Sequence, residues 1–142
     1  MNYENKYALV MKYQILLVED DAWLSSLYQD TLELNPECKV FVANSAESAL
    51  TLLDENSKIR LIILDMFLPG HNGIEFLHEM ASYSDLNRLP VIVLSSVYQH
   101  DFAMNEERWR HYGVVKYLYK PTTKPQDLVV AVKKQLSAQV AK

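Results

Sequence analysis

One ten-residue stretch constrains the fold more than any other part of this 142-residue sequence. Four aliphatic residues, Leu61 to Leu64, run directly into Asp65, and the chain then breaks at Pro69-Gly70. An uninterrupted aliphatic run of this length is typical of a strand that is buried on both faces, as in a parallel sheet covered by helices. Asp65 would then lie at the carboxyl end of a central strand, where open α/β sheets bind their ligands.

A second stretch of the same form lies near the start of the chain. The apolar residues 15–18 are followed at once by Glu19, Asp20 and Asp21. Two buried strands that each end in acid predict one site, assembled from two strand ends at the same edge of the sheet. Asp21 lies one residue beyond the acidic pair, and its predicted role is to cap the helix that begins near Ala22.

The remaining hydrophobic periodicity predicts five strands that alternate with five helices. The predicted strands are 13–18, 39–43, 59–65, 91–95 and 114–119. The predicted helices are 22–33, 46–55 after an N-cap at Ser45, 73–82, 102–112 before a stop at Gly113, and a last helix after a capping box at 123–126. Short connections between alternating elements indicate an α/β fold with a single doubly wound parallel sheet and right-handed crossovers.

Composition limits the class of function. The formal net charge is −4, without a cluster of Lys or Arg, which argues against a nucleic-acid surface within this chain. We expect no membrane span and no signal peptide. The single cysteine, Cys38, excludes an internal disulfide and fits a reducing, cytoplasmic environment. Residues 1–12 are predicted to be an N-terminal extension, and residues 13–142 to form one domain.

Polar residues also follow the fourth and fifth predicted strands, where Ser95 and Lys120 stand. Several carboxylates at one sheet edge repel one another unless a cation compensates them. Lys120 supplies one positive charge, and an all-oxygen ligand set indicates Mg²⁺ as the source of the rest. An aspartate beside Mg²⁺ and lysine is equipped to attack a phosphoryl group and form an aspartyl-phosphate, with the Ser95 hydroxyl available to a phosphoryl oxygen.

Four segments, taken together in order and spacing, resemble the receiver domain of two-component response regulators. These segments are 16–21, 64–73, 89–96 and 117–121. The resemblance extends over roughly residues 12 to 136, which is nearly the whole chain. It implies a flavodoxin-like receiver fold whose five strands lie in the order 2-1-3-4-5.

The resemblance also implies the role of each acid. Asp65 would be the phosphoacceptor. Glu19, Asp20, Asp65 and the main-chain carbonyl of Phe67 would be the Mg²⁺ ligands.

Four further residues are assigned to phosphoryl contact and switching by the same resemblance. Ser95 and Lys120 would contact the phosphoryl group. Tyr117 would change rotamer when Ser95 moves towards that group. The peptide bond before Pro121 would be cis, although this form is a small minority of X-Pro bonds in general.

This chain departs from the usual family pattern at several positions. Phe67 and Val97 are apolar where the family often has polar residues, and Asn72 replaces the usual acid before a glycine. Phe67 and Val97 would flank the path of an attacking water that they cannot orient, so we predict a slow loss of the phosphoryl group.

The segment 97–113 is longer than usual and rich in aromatic residues. Its Phe102 and Trp109 are predicted to be core residues, and Trp23 on the first helix is also predicted to pack.

The leading functional hypothesis is a signalling switch rather than a turnover enzyme. A histidine kinase or histidine phosphotransfer protein would donate a phosphoryl group to Asp65, and the changed conformation would control a partner or an effector domain. A homodimer through the face of the fourth and fifth helices is one form this output could take.

Three other functions compete with the switch. A pseudo-receiver would bind partners without phosphorylation, although the set of polar residues at the strand ends is complete. An electron-transfer flavodoxin would need a hydroxyl- or Gly-rich loop where residues 19–21 are acidic. A hydrolase of the haloacid dehalogenase type would need a second aspartate where Phe67 stands.

Overall fold

A computed structural model of the chain describes residues 12–68 and 70–140. The proposed extension therefore lies outside the described residues, except for Lys12. The long strands are β1 (Tyr13–Val18), β2 (Cys38–Ala43), β3 (Ile59–Leu64), β6 (Val91–Ser95) and β7 (Val114–Tyr119), and the two short strands are β4 (Phe67–Leu68) and β5 (His71–Asn72). The helices are α1 (Ala22–Leu32), α2 (Ala46–Glu55), α3 (Gly73–Ala81), α4 (Glu106–His111) and α5 (Pro125–Val140). Two 3₁₀ turns cover Gln99–Asp101 and Lys120–Thr122.

The five long strands form one parallel sheet in the order β2-β1-β3-β6-β7. This confirms the predicted doubly wound α/β fold and the order 2-1-3-4-5 for the five predicted strands. The register pairs Val18 with Leu64, and the Asp65 N–H donates to the Val18 carbonyl at 3.0 Å. β1 and β3 therefore end level with each other, so the acids that follow them meet at one edge of the sheet.

Helices cover both faces of the sheet, and the residues of each strand divide between two cores. On one face, Ile15, Leu17, Leu61 and Ile63 pack with buried residues of α1 and α5. On the other face, alternate strand residues pack with residues of α2, α3 and α4. All four residues of the 61–64 run have no exposed surface, as expected for a central strand covered on both sides.

Helix ends follow the predicted capping at several positions. The Asp21 carboxylate accepts from the Leu24 N–H at 2.9 Å, which confirms it as the cap of α1. Ser45 caps α2 in a capping box. Gly113 has φ +78°, as expected for a glycine that ends a helix. None of the described helices combines the length and the apolar character needed to cross a bilayer.

One predicted helix start and one predicted capping box were wrong. Within the helix predicted at 102–112 only α4 is helical, because Phe102 has extended dihedral angles and Asn105 caps the helix by accepting from the Arg108 N–H at 2.8 Å. The last helix begins with Pro125. The expected box at 123–126 does not form: the Thr123 hydroxyl donates to the Tyr119 carbonyl at 2.7 Å, and the Lys124 N–H donates to the Asp127 carboxylate at 2.8 Å.

The predicted cis peptide before Pro121 is also wrong, since every peptide bond among the described residues is trans. Pro121 lies in the first turn of the 3₁₀ segment Lys120–Thr122, where the fixed φ of proline is compatible with the backbone. The trans isomer is the intrinsically favoured one, and Lys120 already reaches both buried carboxylates with this backbone.

The two tryptophans have opposite environments. Trp109 is 3% exposed and lies in the core, as predicted. Trp23 is 72% exposed, so its predicted packing role is wrong. The buried residues of α1 are Ser25, Tyr28 and Leu32, which recur at helical spacing on a face that excludes Trp23.

Candidate functional site

Three carboxylates meet at the carboxyl edge of the sheet, as the sequence predicted. Glu19, Asp20 and Asp65 each offer a carboxylate oxygen, and these oxygens all lie within 4.8 Å of one another. Glu19 and Asp65 are buried, at 2% and 5% exposure, whereas Asp20 is exposed. The two buried acids are brought together by the level ends of β1 and β3. Such an all-oxygen set, open to solvent through Asp20, has the chemistry that hard divalent cations prefer.

Lys120 is the cation that the structure itself provides to this cluster. Its ammonium lies 3.0 and 2.9 Å from the two Glu19 carboxylate oxygens and 3.1 Å from Asp65 Oδ2. The 3₁₀ turn after β7 directs the side chain across the edge of the sheet, where it is only 16% exposed. One ammonium neutralises one of the two buried carboxylates, so within the described part of the chain the cluster remains short of positive charge.

Burial and the neighbouring charges shift the pKa values of Glu19 and Lys120. Burial raises the pKa of Glu19 from 4.5 to about 7; the Asp65 charge adds to this, and Lys120 opposes it. Burial acts to lower the pKa of Lys120, but the hydrogen bonds and charges of Glu19 and Asp65 outweigh it and hold that pKa above its ordinary value. Lys120 therefore stays charged near neutral pH. Glu19 is partly protonated in the same pH range, and a metal ion that binds its carboxylate would displace that proton.

Ser95 and Tyr117 meet at the backbone of Val97 rather than at Asp65. The Ser95 hydroxyl is fully buried and accepts from the Val97 N–H at 3.1 Å, and the Tyr117 hydroxyl donates to the Val97 carbonyl. Within the described residues, no hydrogen bond joins Ser95 or Tyr117 to Asp65 or Lys120. Burial raises the pKa of Tyr117, so its hydroxyl remains a neutral donor.

A tight hairpin follows Asp65, and its role was missed by the sequence reasoning, which expected a plain loop. The Phe67 N–H donates to Asp65 Oδ1 at 3.0 Å, and β4 pairs with β5 in antiparallel register. A Cβ on Gly73 would lie 2.7 Å from the Met66 Cα, so only glycine allows this close approach. Asn72 caps α3 by accepting from the Glu75 N–H at 2.9 Å, which gives a physical role to the departure from the usual acid.

An aromatic stack beside the site was also missed. The Tyr98 ring stacks on Tyr119 at 4.1 Å and on His100 at 5.2 Å, measured between ring centroids. Tyr98 follows β6, and Tyr119 directly precedes Lys120, so the stack joins the two loops that carry Val97 and Lys120. The only sequence signal for it was the density of large side chains in the segment 97–113.

The chain combines a parallel sheet of order 2-1-3-4-5, clustered acids after strands 1 and 3 of that sheet, and a lysine after strand 5. This combination defines a class of phosphoryl-accepting signalling domains. A sequence model of the family described as "Response regulator receiver domain" matches residues 15–133. The chain belongs to this family, and it is a receiver domain of two-component response regulators.

Individual relatives agree with this assignment. The transcriptional regulatory protein MalR of Bacillus subtilis is 36% identical over 108 residues, which are 75% of this chain and 43% of that protein. The chain thus spans less than half the length of this relative. A CheY-like receiver domain protein from Methanospirillum hungatei has 25% identity and a TM-score of 0.75, over 91% of this chain and 97% of that chain. The Mn²⁺-bound form of response regulator Rcp1 has 28% identity and a TM-score of 0.64, over 81% and 86% of the two chains.

Proposed function

We propose that this domain accepts a phosphoryl group on Asp65 in a Mg²⁺-dependent reaction. The donor would be the phosphohistidine of a histidine kinase or of a histidine phosphotransfer protein. The observation that carries the proposal is the Lys120 ammonium, which contacts the buried Asp65 and Glu19 together, 3.1 Å from Asp65. A nucleophilic carboxylate beside a fixed ammonium can accept a phosphoryl group whose charge the ammonium helps to neutralise.

The donor set around Asp65 fits the proposed metal ion. Glu19, Asp20 and Asp65 would hold Mg²⁺ with carboxylate oxygens, and the Phe67 carbonyl would be a further ligand. The ion would neutralise charge on the transferred phosphoryl oxygens. The solved structure of the relative Rcp1 contains Mn²⁺, another divalent cation that accepts oxygen ligands, which supports a cation site in this fold.

The proposed reaction assigns a task to each residue of the site. A carboxylate oxygen of Asp65 attacks phosphorus, the bond from phosphorus to the donor imidazole nitrogen breaks, and that nitrogen takes a proton from solvent. Lys120 holds a transferred oxygen. The Ser95 hydroxyl exchanges its bond from the Val97 N–H for one to a phosphoryl oxygen. Because Tyr117 is bonded to the same residue, a shift of Val97 would release Tyr117 to change rotamer.

The output of this switch would be a changed affinity for a partner or an effector domain. The buried, free Cys38 is compatible with the cytoplasm, where we place the reaction.

A homodimer through the face of α4 and α5 stays a prediction. Val115 on β7 and Val130 on α5 are 44% and 64% exposed, and they offer apolar surface near that face. A domain from residue 13 to residue 142 also stays a prediction.

The proposal is tested by phosphoryl uptake. Wild-type protein incubated with Mg²⁺ and acetyl phosphate should gain the mass of one phosphoryl group in intact mass spectrometry, and Asp65→Asn should gain none. The asparagine amide has nearly the same shape but lacks the nucleophilic carboxylate. A phosphorylation-independent interaction module would show no gain in the wild type, and an equal gain in Asp65→Asn would assign the chemistry to another residue.

The lifetime of the phosphoryl group is expected to depend on Phe67 and Val97. Replacing both by asparagine should speed loss of the phosphoryl group about tenfold, equivalent to about 1.4 kcal/mol, because a polar side chain can orient the attacking water. The decay is measured by intact mass after removal of the donor. An unchanged decay in the double variant would show that these apolar residues do not set the lifetime.

A further inference from the structure

Four aromatic rings form a continuous bridge from the rim of the Asp65 site into the core. This aromatic bridge consists of Phe67, Phe102, Trp109 and Tyr117. The Phe67 and Phe102 ring centroids are 6.4 Å apart with an interplanar angle of 31°. Phe102 meets Trp109 edge-on at 5.7 Å and Tyr117 at 6.3 Å, and Trp109 meets Tyr117 at 5.6 Å. These distances lie within the range of favourable aromatic pairs.

The two ends of the aromatic bridge differ in how firmly they are held. Trp109 is 3% exposed, whereas Phe67 is 49% exposed. Among the described residues, Phe102 is the only ring that contacts the Phe67 ring. Phe102 is therefore the ring available to hold the Phe67 side chain, and Phe102 is anchored in turn by the buried Trp109, a contact that does not require Tyr117.

The backbone around Phe102 holds this residue in place between two short helical elements. Its N–H donates to the Gln99 carbonyl at 3.2 Å, and its carbonyl accepts from the Met104 N–H at 2.8 Å. Asn105 then caps α4, which carries Trp109. The 97–113 segment thus delivers an aromatic side chain from beyond β6 to the hairpin after β3.

Phe67 is well placed to influence the fate of a phosphoryl group on Asp65. Its N–H is hydrogen-bonded to the Asp65 carboxylate, and its half-exposed side chain begins only two residues from the proposed phosphoacceptor. In hydrolysis of the aspartyl phosphate, a water oxygen attacks phosphorus and the bond from phosphorus to the Asp65 oxygen breaks. The carboxylate is regenerated, and inorganic phosphate and a proton leave to solvent. A hydrocarbon ring held beside this path offers the water no hydrogen-bond partner.

We propose that Phe102 is a positioning residue that holds the Phe67 ring at the rim of the Asp65 site and thereby lengthens the life of the aspartyl phosphate. This inference rests on the proposed phosphoryl transfer to Asp65. Phe102 itself touches no reacting atom. Its effect passes through Phe67, and this route distinguishes it from a residue that only contributes to stability.

The test is a double-mutant cycle on the decay of the phosphoryl group. The 142-residue chain is phosphorylated with acetyl phosphate and Mg²⁺, the donor is removed, and the remaining phosphoprotein is followed by intact mass. Phe102→Ala should speed the decay about two- to tenfold, the factor that corresponds to an aromatic pair of ordinary strength. The same change in a Phe67→Ala background should have no further effect. Phe102→Tyr keeps the ring and should decay as the wild type does.

Phe41 offers a matched control. It is a half-buried phenylalanine packed against the same core cluster as Phe102, but it lies on β2 and makes no ring–ring contact among the described residues. Phe41→Ala should lose stability without a change in phosphoryl decay. If Phe102→Ala does not fold at the temperature used, Phe102→Leu keeps apolar volume without the aromatic ring, and a faster decay is again expected.

The outcomes separate this inference from the proposed function. Equal acceleration by Phe102→Ala with and without Phe67 would overturn the positioning role, as would an unchanged decay. A wild-type protein that takes up no phosphoryl group would overturn the proposed function, and the lifetime role with it. Uptake with a Phe67-dependent acceleration supports both.

Discussion

Lys120→Met is expected to reduce the rate of phosphoryl uptake about 100-fold or more, which is the typical loss when one preorganised charge-stabilising donor is removed from such a site. Methionine keeps most of the volume of the lysine stem but cannot contact a phosphoryl oxygen. Uptake from acetyl phosphate in the presence of Mg²⁺, followed by intact mass, gives the rate. Lys116→Met is the matched control, because Lys116 is an exposed lysine on β7, the strand that leads into the Lys120 turn, and lies outside the acidic cluster. A rate within twofold of the wild type would remove Lys120 from the reaction.

The same variant is expected to lose stability in a pH-dependent way. The pKa of Glu19 is already raised from 4.5 to about 7, so the fold favours its protonated form; this contribution is present below about pH 4.5 and is lost as the pH rises through about 7. Without Lys120, both buried carboxylates lack a counter-charge once ionised, at a cost of about 3 kcal/mol. Urea unfolding should therefore show a larger destabilisation at about pH 8 than at about pH 5.5. An equal loss at both values would contradict this electrostatic explanation.

Trp109→Ala is expected to lower the free energy of unfolding by about 3–5 kcal/mol, because it removes a large buried side chain and leaves a cavity. Trp109 contacts both Phe102 and Tyr117, so the cavity would open at the inner end of the aromatic bridge. Urea unfolding followed by circular dichroism measures the loss without relying on tryptophan fluorescence.

The second tryptophan provides a control of the same residue type. Trp23 is 72% exposed, so Trp23→Ala should change the free energy of unfolding by less than about 0.5 kcal/mol. Similar losses in the two variants would mean that Trp109 is not packed as the structure shows it.

The parallel sheet and the meeting of its acids could be predicted because both depend on local patterns along the chain. A run such as Leu61–Leu64 with no polar residue is stable only where both faces are covered, and parallel strands place their carboxyl ends at one edge. The caps at Asp21 and Ser45 were predictable for a similar reason, since the side chain and the N–H that it accepts from are three residues apart.

The contacts beside the site could not be predicted in the same way. The exposure of Trp23 depends on which face of α1 turns to the sheet, and an apolar residue near a helix start does not determine that face. The trans bond before Pro121 depends on the 3₁₀ turn in which Lys120 reaches Glu19 and Asp65. The contact between Phe67 and Phe102 joins two loops that are distant along the chain, and neither loop has a periodic pattern.

Hydrophobic patterning and the family resemblance were enough to predict the α/β fold, the strand order and the sheet edge at which Glu19, Asp20, Asp65 and Lys120 meet. These features follow from hydrophobic periodicity and from the direction of parallel strands, which are repeated over many residues. Two sets of contacts became apparent only in the folded chain: Ser95 and Tyr117 both bind the backbone of Val97, and Phe102 connects Phe67 to the core. These contacts depend on single rotamers and loop paths, whose energies are set by neighbours far away in the chain.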